Sequence, residues 1–409
     1  MLLTLAAYIV LGVAALPFIY YLLVLYSTWR FFRQAPQKTP KDASFTPPAS
    51  ILKPVRGLDP DAYENFASYC NQDYPEYEVV FCLGDSSDPS MAVIEQLQRD
   101  FPACKIRVLF RDGRIASNDK VAKLDQLVNE ARYEYLVIND SDVRVTPDYM
   151  RTVIAPLARP NVGAVTTLYV SAEDKTLVDR IHTVGMISDL YAGILVARQL
   201  DGVKFALGET IVSTRKVLAE FGGYRALENR PADDLLVGRM IAEQGHEVEL
   251  LPYAVLTVPD YGSMRDLFLK RLRWMVVMRH MRPWGHLGLI FTLGLPWSLA
   301  AVAVHPTAAV VLGYLGTYFF LRAAMAWAIG IWGLHQKPLW RMMQLLPVWD
   351  GVAFAIWISS FLHNSIRWRG EDYYIRDGQL VLASGEQSGK IPLASLKPTA
   401  KSSSSELPS

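Results

Sequence analysis

The sequence predicts an α/β domain held between hydrophobic membrane spans. Residues 50 to 255 alternate short β-rich runs with helical patterns, the pattern of a mostly parallel sheet covered by helices. On either side the chain loses its charge: Met1–Trp29 and Pro283–Leu321 contain no Asp, Glu, Lys or Arg. Asp residues recur at strand ends and before a helix, as Asp85/Asp88, Asp140-Ser141-Asp142 and Asp233-Asp234.

Taken in order, Leu2 to Tyr26 is long enough to cross a bilayer, which takes about 20 apolar residues. It lacks the basic start of a cleaved signal peptide and exceeds the usual length of such a core. Arg30, Arg33, Lys38 and Lys41 follow, and by the positive-inside rule they place the next domain in the cytoplasm.

Within the central domain, strands are expected at Ser50–Lys53, Tyr77–Leu83, Lys105–Phe110 and Tyr133–Ile138. Helices are expected at Asp61–Cys70, Ser90–Arg99 and Val121–Arg132. Ligands of such sheets bind beyond the carboxyl ends of the strands. Asp85 and Asp140 follow two strands directly, so both should face one crevice.

The C-terminal block reads as two or three spans, Trp284–Val304, Thr307 to about Gly333, and Leu345–Leu362. The second contains Arg322 and the third Asp350. Charges inside spans are usually paired or functional. A pair between these two is one reading; the other places each near an interface, snorkelling. The tail from Glu386 is rich in Ser, Lys and Pro and is expected to be disordered.

The bulk numbers set limits. The chain has 409 residues, 51% of them hydrophobic, with a net charge of +1, so no global field points to nucleic acid. Cys70, Cys82 and Cys104 make no zinc-type spacing and read as buried small side chains. No histidine pattern, GxSxG, P-loop or HExxH motif is present.

Asp140-Ser141-Asp142 is the strongest local signal. In an extended segment, residues two apart point the same way, so both carboxylates could share a hard divalent cation. Mg²⁺ and Mn²⁺ complete such a shell with phosphate oxygens and water. The plain alternative is acids capping a turn. Asp85 or Asp88 could accept hydrogen bonds from a uracil ring or ribose, or Asp88 could cap a helix. Lys120 opens a helix and suits a diphosphate, or is a surface lysine. Asp233-Asp234 precedes the apolar helix Leu235–Ile241. These acids either favour the helix dipole or supply a general base. Ser263–Trp284 reads as a basic amphipathic helix on the membrane face. Within it, Arg273 could neutralise a departing nucleoside diphosphate, and Trp274 could wall the sugar or acceptor.

These residues resemble, as a set, the ceramide glucosyltransferase-type enzymes of glycosyltransferase family 21, which have the GT-A fold. That family carries three separated Asp positions followed by (Q/R)xxRW. Here they are met by Asp88 (or Asp85), Asp140, Asp234 and Arg273-Trp274. The segments Leu52–Asp59, which holds Lys53, Asp73–Glu78, Asp140–Val145 and Gly202–Lys204 leading into Gly208 are also similar. The resemblance covers roughly residues 1 to 285. Two departures stand out. Lys270 occupies the first position of (Q/R)xxRW, keeping the charge but lacking the planar fork. The full Asp-Ser-Asp fits a bacterial branch that includes enzymes of hopanoid glycosylation.

The resemblance implies a UDP-sugar-dependent, inverting transferase in a bacterial inner membrane. It would move one sugar, glucose or N-acetylglucosamine, onto a ceramide-type lipid or a hopanoid polyol. Asp140 and Asp142 would hold Mg²⁺ or Mn²⁺; Lys53, Asp85, Asp88, Lys120, Asp140, Asp233 and Lys270 would bind substrate. Asp234 would be the base, with Arg273 and Trp274 closing the site. The divisions expected are a transmembrane helix at 1–29, a cytoplasmic GT-A domain at 30–260, an interfacial helix at 261–283, a transmembrane block at 284–365 and a tail at 366–409. A processive polysaccharide synthase of the cellulose or hyaluronan type shares this fold and is the alternative, as is, in a different class, a non-catalytic membrane receptor.

Overall fold

The structure, a computed structural model, describes residues 2–34, 45–111, 113, 117–368, 371–376 and 378–383. Lys38, Lys41 and the tail from Glu386 lie outside the described residues.

The chain begins with helices α1 (Leu2–Ala14) and α2 (Leu16–Gln34). Pro17 lies in the first turn of α2, where its missing N–H costs little, and the helix is interrupted just before it, at Ala15. The run Thr4–Arg33 is long and apolar enough to cross a membrane, and it extends beyond the expected end at Tyr26.

The first half of the sheet follows the expected alternation. Strands β1 (Ala49–Pro54), β2 (Tyr77–Leu83), β3 (Ile106–Phe110) and β4 (Tyr135–Ile138) are separated by helices α3 (Ala62–Cys70), α4 (Ser90–Asp100) and α5 (Asp119–Glu130). These four strands lie parallel in the order β3-β2-β1-β4, so their carboxyl ends share one edge.

The other half keeps the sheet mostly parallel but reverses two of its strands. It holds β5 (Val143–Arg144), helix α6 (Tyr149–Ile154) and β6 (Val162–Ser171). Helices α7 (Leu177–Gly185) and α8 (Tyr191–Asp201), joined by a π segment at Met186–Leu190, come next. Strand β7 (Ile211–Thr214), helices α9 (Arg215–Glu220) and α10 (Asp233–Glu243) and strand β8 (Glu247–Thr257) complete it. The full order is β3-β2-β1-β4-β7-β6-β8-β5, with β7 antiparallel to both neighbours and β5 antiparallel to β8. The alternation predicts the parallel strands β1–β4, whereas the short strands β5 and β7 lie outside that pattern and carry no sign of their direction.

Alternate residues of each strand enter different cores. Ile51, Val79, Phe81 and Val137 face a core that continues into the membrane helices through Tyr21, Tyr318 and Trp349. Leu52, Val80, Cys82 and Leu136 pack against α5 and α10. Cys82 is buried as expected, whereas Cys70 and Cys104 are only half-buried.

Helix α11 (Met264–Met281) leaves the sheet toward the membrane block. Next come α12 (Pro283–Gly288) and α13 (Gly294–Val304), bent by 56° where a single span was expected. Helices α14 (Ala308–Val310) and α15 (Thr317–Ala326) lie within a second membrane-length run, Ala308–Gly333. Helix α16 (Leu346–Leu362) lies within a third, Met343–Leu362. Arg322 and Asp350 are both buried and do pair: Arg322 Nε donates to Asp350 Oδ2 at 3.0 Å, and Nη2 to Oδ1. Arg322 also reaches the carbonyl of Ser188 (2.8 Å) and Asp189 Oδ1 (3.0 Å), clamping the α7–α8 segment to the membrane helices.

A second correction concerns the region after residue 365. Its first part is no tail: β9 (Ser365–Trp368), β10 (Glu371–Arg376) and β11 (Gln379–Leu382) form an antiparallel sheet. Ile366, Tyr373, Ile375 and Leu380 pack on Leu272, Val276 and Val277 of α11 and Ile356 of α16. Helix α11 is therefore wedged between this sheet, α16 and the central α/β domain, with its apolar side on protein.

Candidate active site

The carboxyl ends of β1 and β4 carry the central residues. Lys53, fully buried near the end of β1, donates from Nζ to the carbonyl of Asp140 at 2.8 Å and lies 3.7 Å over the Tyr69 ring. Burial pulls its pKa down to about 7, against the opposing pull of Asp142, Asp140 and Asp59. Asn139 donates to the Glu209 carbonyl and to the Tyr149 hydroxyl, both at 2.7 Å. It thereby fixes the loop before β7 against the end of β4.

Asp140-Ser141-Asp142 is not an extended segment. Ser141 and Asp142 form a turn between β4 and β5, and Ser141 Oγ donates to Asp59. Asp140 and Asp142 still repel each other: burial first, then Asp140 and Asp59, raise the Asp142 pKa to about 6, while Lys270 and Lys53 act in the opposite direction.

A second group converges on Asp140 from the other side. Asn118 caps α5 by accepting from Val121 N at 3.3 Å, and so presents Lys120 in the first turn. Lys120 Nζ lies 2.5 Å from Asp140 Oδ1 and 3.8 Å from Asp233 Oδ2. Asp233 and Asp234 open α10 behind Ala232, whose φ of 55° turns the chain sharply into the helix. Burial, then Asp233, raises the Asp234 pKa to about 6, with Lys120 opposing. Gly208 lies in the centre. A Cβ there would stand 3.3 Å from Asp234 Oδ2, 3.4 Å from Asp140 Oδ2 and 3.5 Å from Lys120 Nζ.

The structure thus brings together Lys120, Asp140, Asp233 and Asp234, and on the other flank Lys53, Asp142 and Lys270. Asp88 joins through the loop after β1. Its carboxylate accepts from Gly57 N and from Ser90 N, each at 3.0 Å, so it also holds the start of α4. Asp85 stays exposed and accepts from Ser87 N at 2.8 Å. That contact, with the Ser87 hydroxyl foremost, lowers its pKa. Lys270, Arg273 and Trp274 are three and four residues apart, hence on one side of α11. Trp274 packs on the main core, with the Arg271 guanidinium 4.6 Å from its ring.

Glu209 escaped the sequence reading. Burial, then Asp140 and Asp142, pushes its pKa well up, which places it among the acids of the site. The only signal was its position directly after Gly208. Asp59, at the end of the Leu52–Asp59 segment, likewise has no spacing that marks it.

Among the described residues, no three His, Cys, Asp or Glu side chains are gathered as a metal shell. The hard-oxygen pair Asp140 and Asp142 fits Mg²⁺ or Mn²⁺, which take one or two carboxylates and fill the rest with phosphate and water.

A mixed α/β sheet with acids gathered at its carboxyl edge resembles the GT-A glycosyltransferases. A profile of glycosyl transferase family 21 matches residues 9–381, and the chain belongs to that family. Ceramide glucosyltransferase 3 of Caenorhabditis elegans is 21% identical over 84% of this chain and 76% of its own length. Beta-monoglucosyldiacylglycerol synthase of Trichormus variabilis is 25% identical over 56% of this chain and 48% of its own. Among solved structures, mannosyltransferase PcManGT from Pyrobaculum calidifontis, in complex with GDP-Man and Mn²⁺, superposes with a TM-score of 0.55. Its identity is 20%, covering 87% of this chain and 97% of that one.

Proposed function

We propose that the protein transfers one sugar from a UDP-sugar to the hydroxyl of a membrane lipid. The observation that carries this reading is the convergence of Asp140, Asp234 and Lys120 on Gly208, in a domain packed directly on membrane-length helices. The relatives named for ceramide glucosylation and for a glucosyldiacylglycerol support a lipid acceptor. The donor sugar is glucose or N-acetylglucosamine, and the acceptor a ceramide-type lipid or a hopanoid polyol. Arg30 and Arg33 at the end of the first span, with Lys337 and Arg341 between the last two, favour a cytoplasmic catalytic domain in a bacterial inner membrane.

The reaction is a single displacement with inversion. The acceptor oxygen bonds to the anomeric carbon as the bond to the diphosphate breaks, and the hydroxyl proton passes to Asp234. With a pKa of about 6, Asp234 is largely ionised at neutral pH and is a stronger base than an ordinary carboxylate. Lys120 at the head of α5 and the helix amides behind it attract the diphosphate. Asp88 and Asp85 flank the nucleoside. Lys53 fixes the Asp140 backbone. Lys270 and Arg273, with Trp274, close over the leaving group from α11. Mg²⁺ or Mn²⁺ held by Asp140 and Asp142 would neutralise charge on the departing UDP.

The test is mass spectrometry of lipids after incubating the purified protein with Mn²⁺ or Mg²⁺. UDP-glucose and UDP-N-acetylglucosamine are each offered with ceramide and with a bacteriohopane polyol. A glycosylated lipid identifies donor and acceptor together. A growing polymer in place of a lipid product supports the polysaccharide-synthase reading, and no turnover of any UDP-sugar supports a non-catalytic role.

A further inference from the structure

Arg271 is anomalous. It is only 8% exposed, yet no carboxylate lies within 4.0 Å of it among the described residues, and its Nε–H is buried without a partner. A buried guanidinium left so is costly, and such orphaned groups call for an explanation. What surrounds it is aromatic and neutral: the rings of Trp274 and Trp349 lie 4.6 and 5.4 Å from its Cζ. Its Nη2 lies 3.1 Å from His182 Nδ1. Because arginine only donates, Nδ1 accepts, and the neutral imidazole carries its proton on Nε2.

His182 lines a narrow cavity with Tyr169, Ser171, Thr183, Tyr191 and Thr257 among its walls, with room for about one water-sized group. The cavity lies at a junction. Tyr169 and Tyr191 in its wall feel the fields of both Arg271 and Glu209, so the cavity lies near both, and His182 joins it to Arg271. Trp349 belongs to the first turn of the membrane-length helix α16, and Gly185 on α7 packs against its ring, where a Cβ would come within 2.4 Å.

We propose that Arg271 and His182 form an acceptor subsite that takes one oxygen of the lipid headgroup as it enters from the bilayer toward the acidic site. This rests on the lipid-transferase reading above. Arg271 is the second residue of the Lys270–Trp274 run, one position on from the charge that faces Asp142, so one helix addresses donor and acceptor with adjacent side chains.

The experiment uses the full chain in phosphatidylcholine nanodiscs, with initial rates varied in both substrates, for the wild type, Arg271→Met and Arg271→Lys. The expected result is an acceptor KM raised tenfold or more by Arg271→Met, a donor KM within twofold of wild type, and partial recovery in Arg271→Lys. Should the methionine variant fail to fold, the lysine variant, which keeps the charge and loses the fork, carries the comparison. An unchanged acceptor KM, as for a cavity holding only a structural water, or a rise confined to the donor KM, overturns the subsite. In thermal melts the acceptor lipid should raise Tm for the wild type and less for Arg271→Lys. Equal stabilisation by inorganic phosphate alone would make this a free-anion site and overturn the proposal. If the wild type glycosylates no lipid at all, it is the functional reading that fails.

Discussion

Lys120 and Asp140 form an ion pair, Nζ to Oδ1 at 2.5 Å, that joins the first turn of α5 to the end of β4. It offsets the repulsion among Asp140, Asp142, Asp233, Asp234 and Glu209, as Lys53 and Lys270 do on the Asp142 side. The pair also occupies one oxygen of a carboxylate assigned to the metal, so donor binding should rearrange it, with Lys120 turning to the diphosphate. Lys120→Ala should therefore raise the donor KM at least tenfold; calorimetric titration with UDP checks this without turnover.

As the proposed base, Asp234 should set the acid limb of the pH profile. Its pKa is raised to about 6, and only the ionised form accepts a proton, so the rate should fall tenfold per pH unit below about 6 and level off above. Asp234→Asn should lower kcat by about 10²- to 10⁴-fold, the usual range for a general base, with UDP binding intact. Near-normal turnover in that variant would remove the base assignment.

Gly208 is a steric test of the convergence. A Cβ there meets Asp234, Asp140 and Lys120 at 3.3 to 3.5 Å, all side-chain ends that can give way. Gly208→Ala should thus leave the melting temperature nearly unchanged while lowering kcat/KM at least tenfold. A melting shift without a loss of activity would place the functional groups elsewhere.

The Arg322–Asp350 pair is buried and also bound to Asp189 and Ser188. Arg322→Leu leaves Asp350 buried and unpaired, and should destabilise the protein by about 3–5 kcal/mol. The double variant Arg322→Leu with Asp350→Leu should lose less than Arg322→Leu alone. Melting in detergent compares the two.

Chelation gives the metal prediction. Asp140 and Asp142 supply two carboxylates, so EDTA should abolish transfer and Mn²⁺ or Mg²⁺ restore it. Asp142→Asn should weaken the response to metal, read from the metal concentration at half-maximal rate.

Much of this architecture was legible in the sequence. Tyr77–Leu83 forms β2 with the boundaries its apolar run predicts, and the strand ends at Asp85 and Asp140 fall on one edge because β1 to β4 are parallel. The cost of charge within a span left pairing of Arg322 with Asp350 as one of two readings, and the fold decides for the pair. The reversal of β7 was not legible, since four residues carry no sign of direction. Nor was the sheet at 365–382, whose short strands follow a membrane helix and gain their core from α11 and α16. Glu209 was missed because a single acid after a glycine has no spacing to mark it. Only the fold, through the bond from Asn139, draws its backbone beside Asp140.

The most direct test of single transfer to lipid is stoichiometry. UDP release and lipid mass are followed together in one reaction with the purified protein. Single transfer gives one UDP per lipid modified and a product heavier by a single sugar residue at every time. A ladder of increments, or UDP released with no lipid changed, would contradict it.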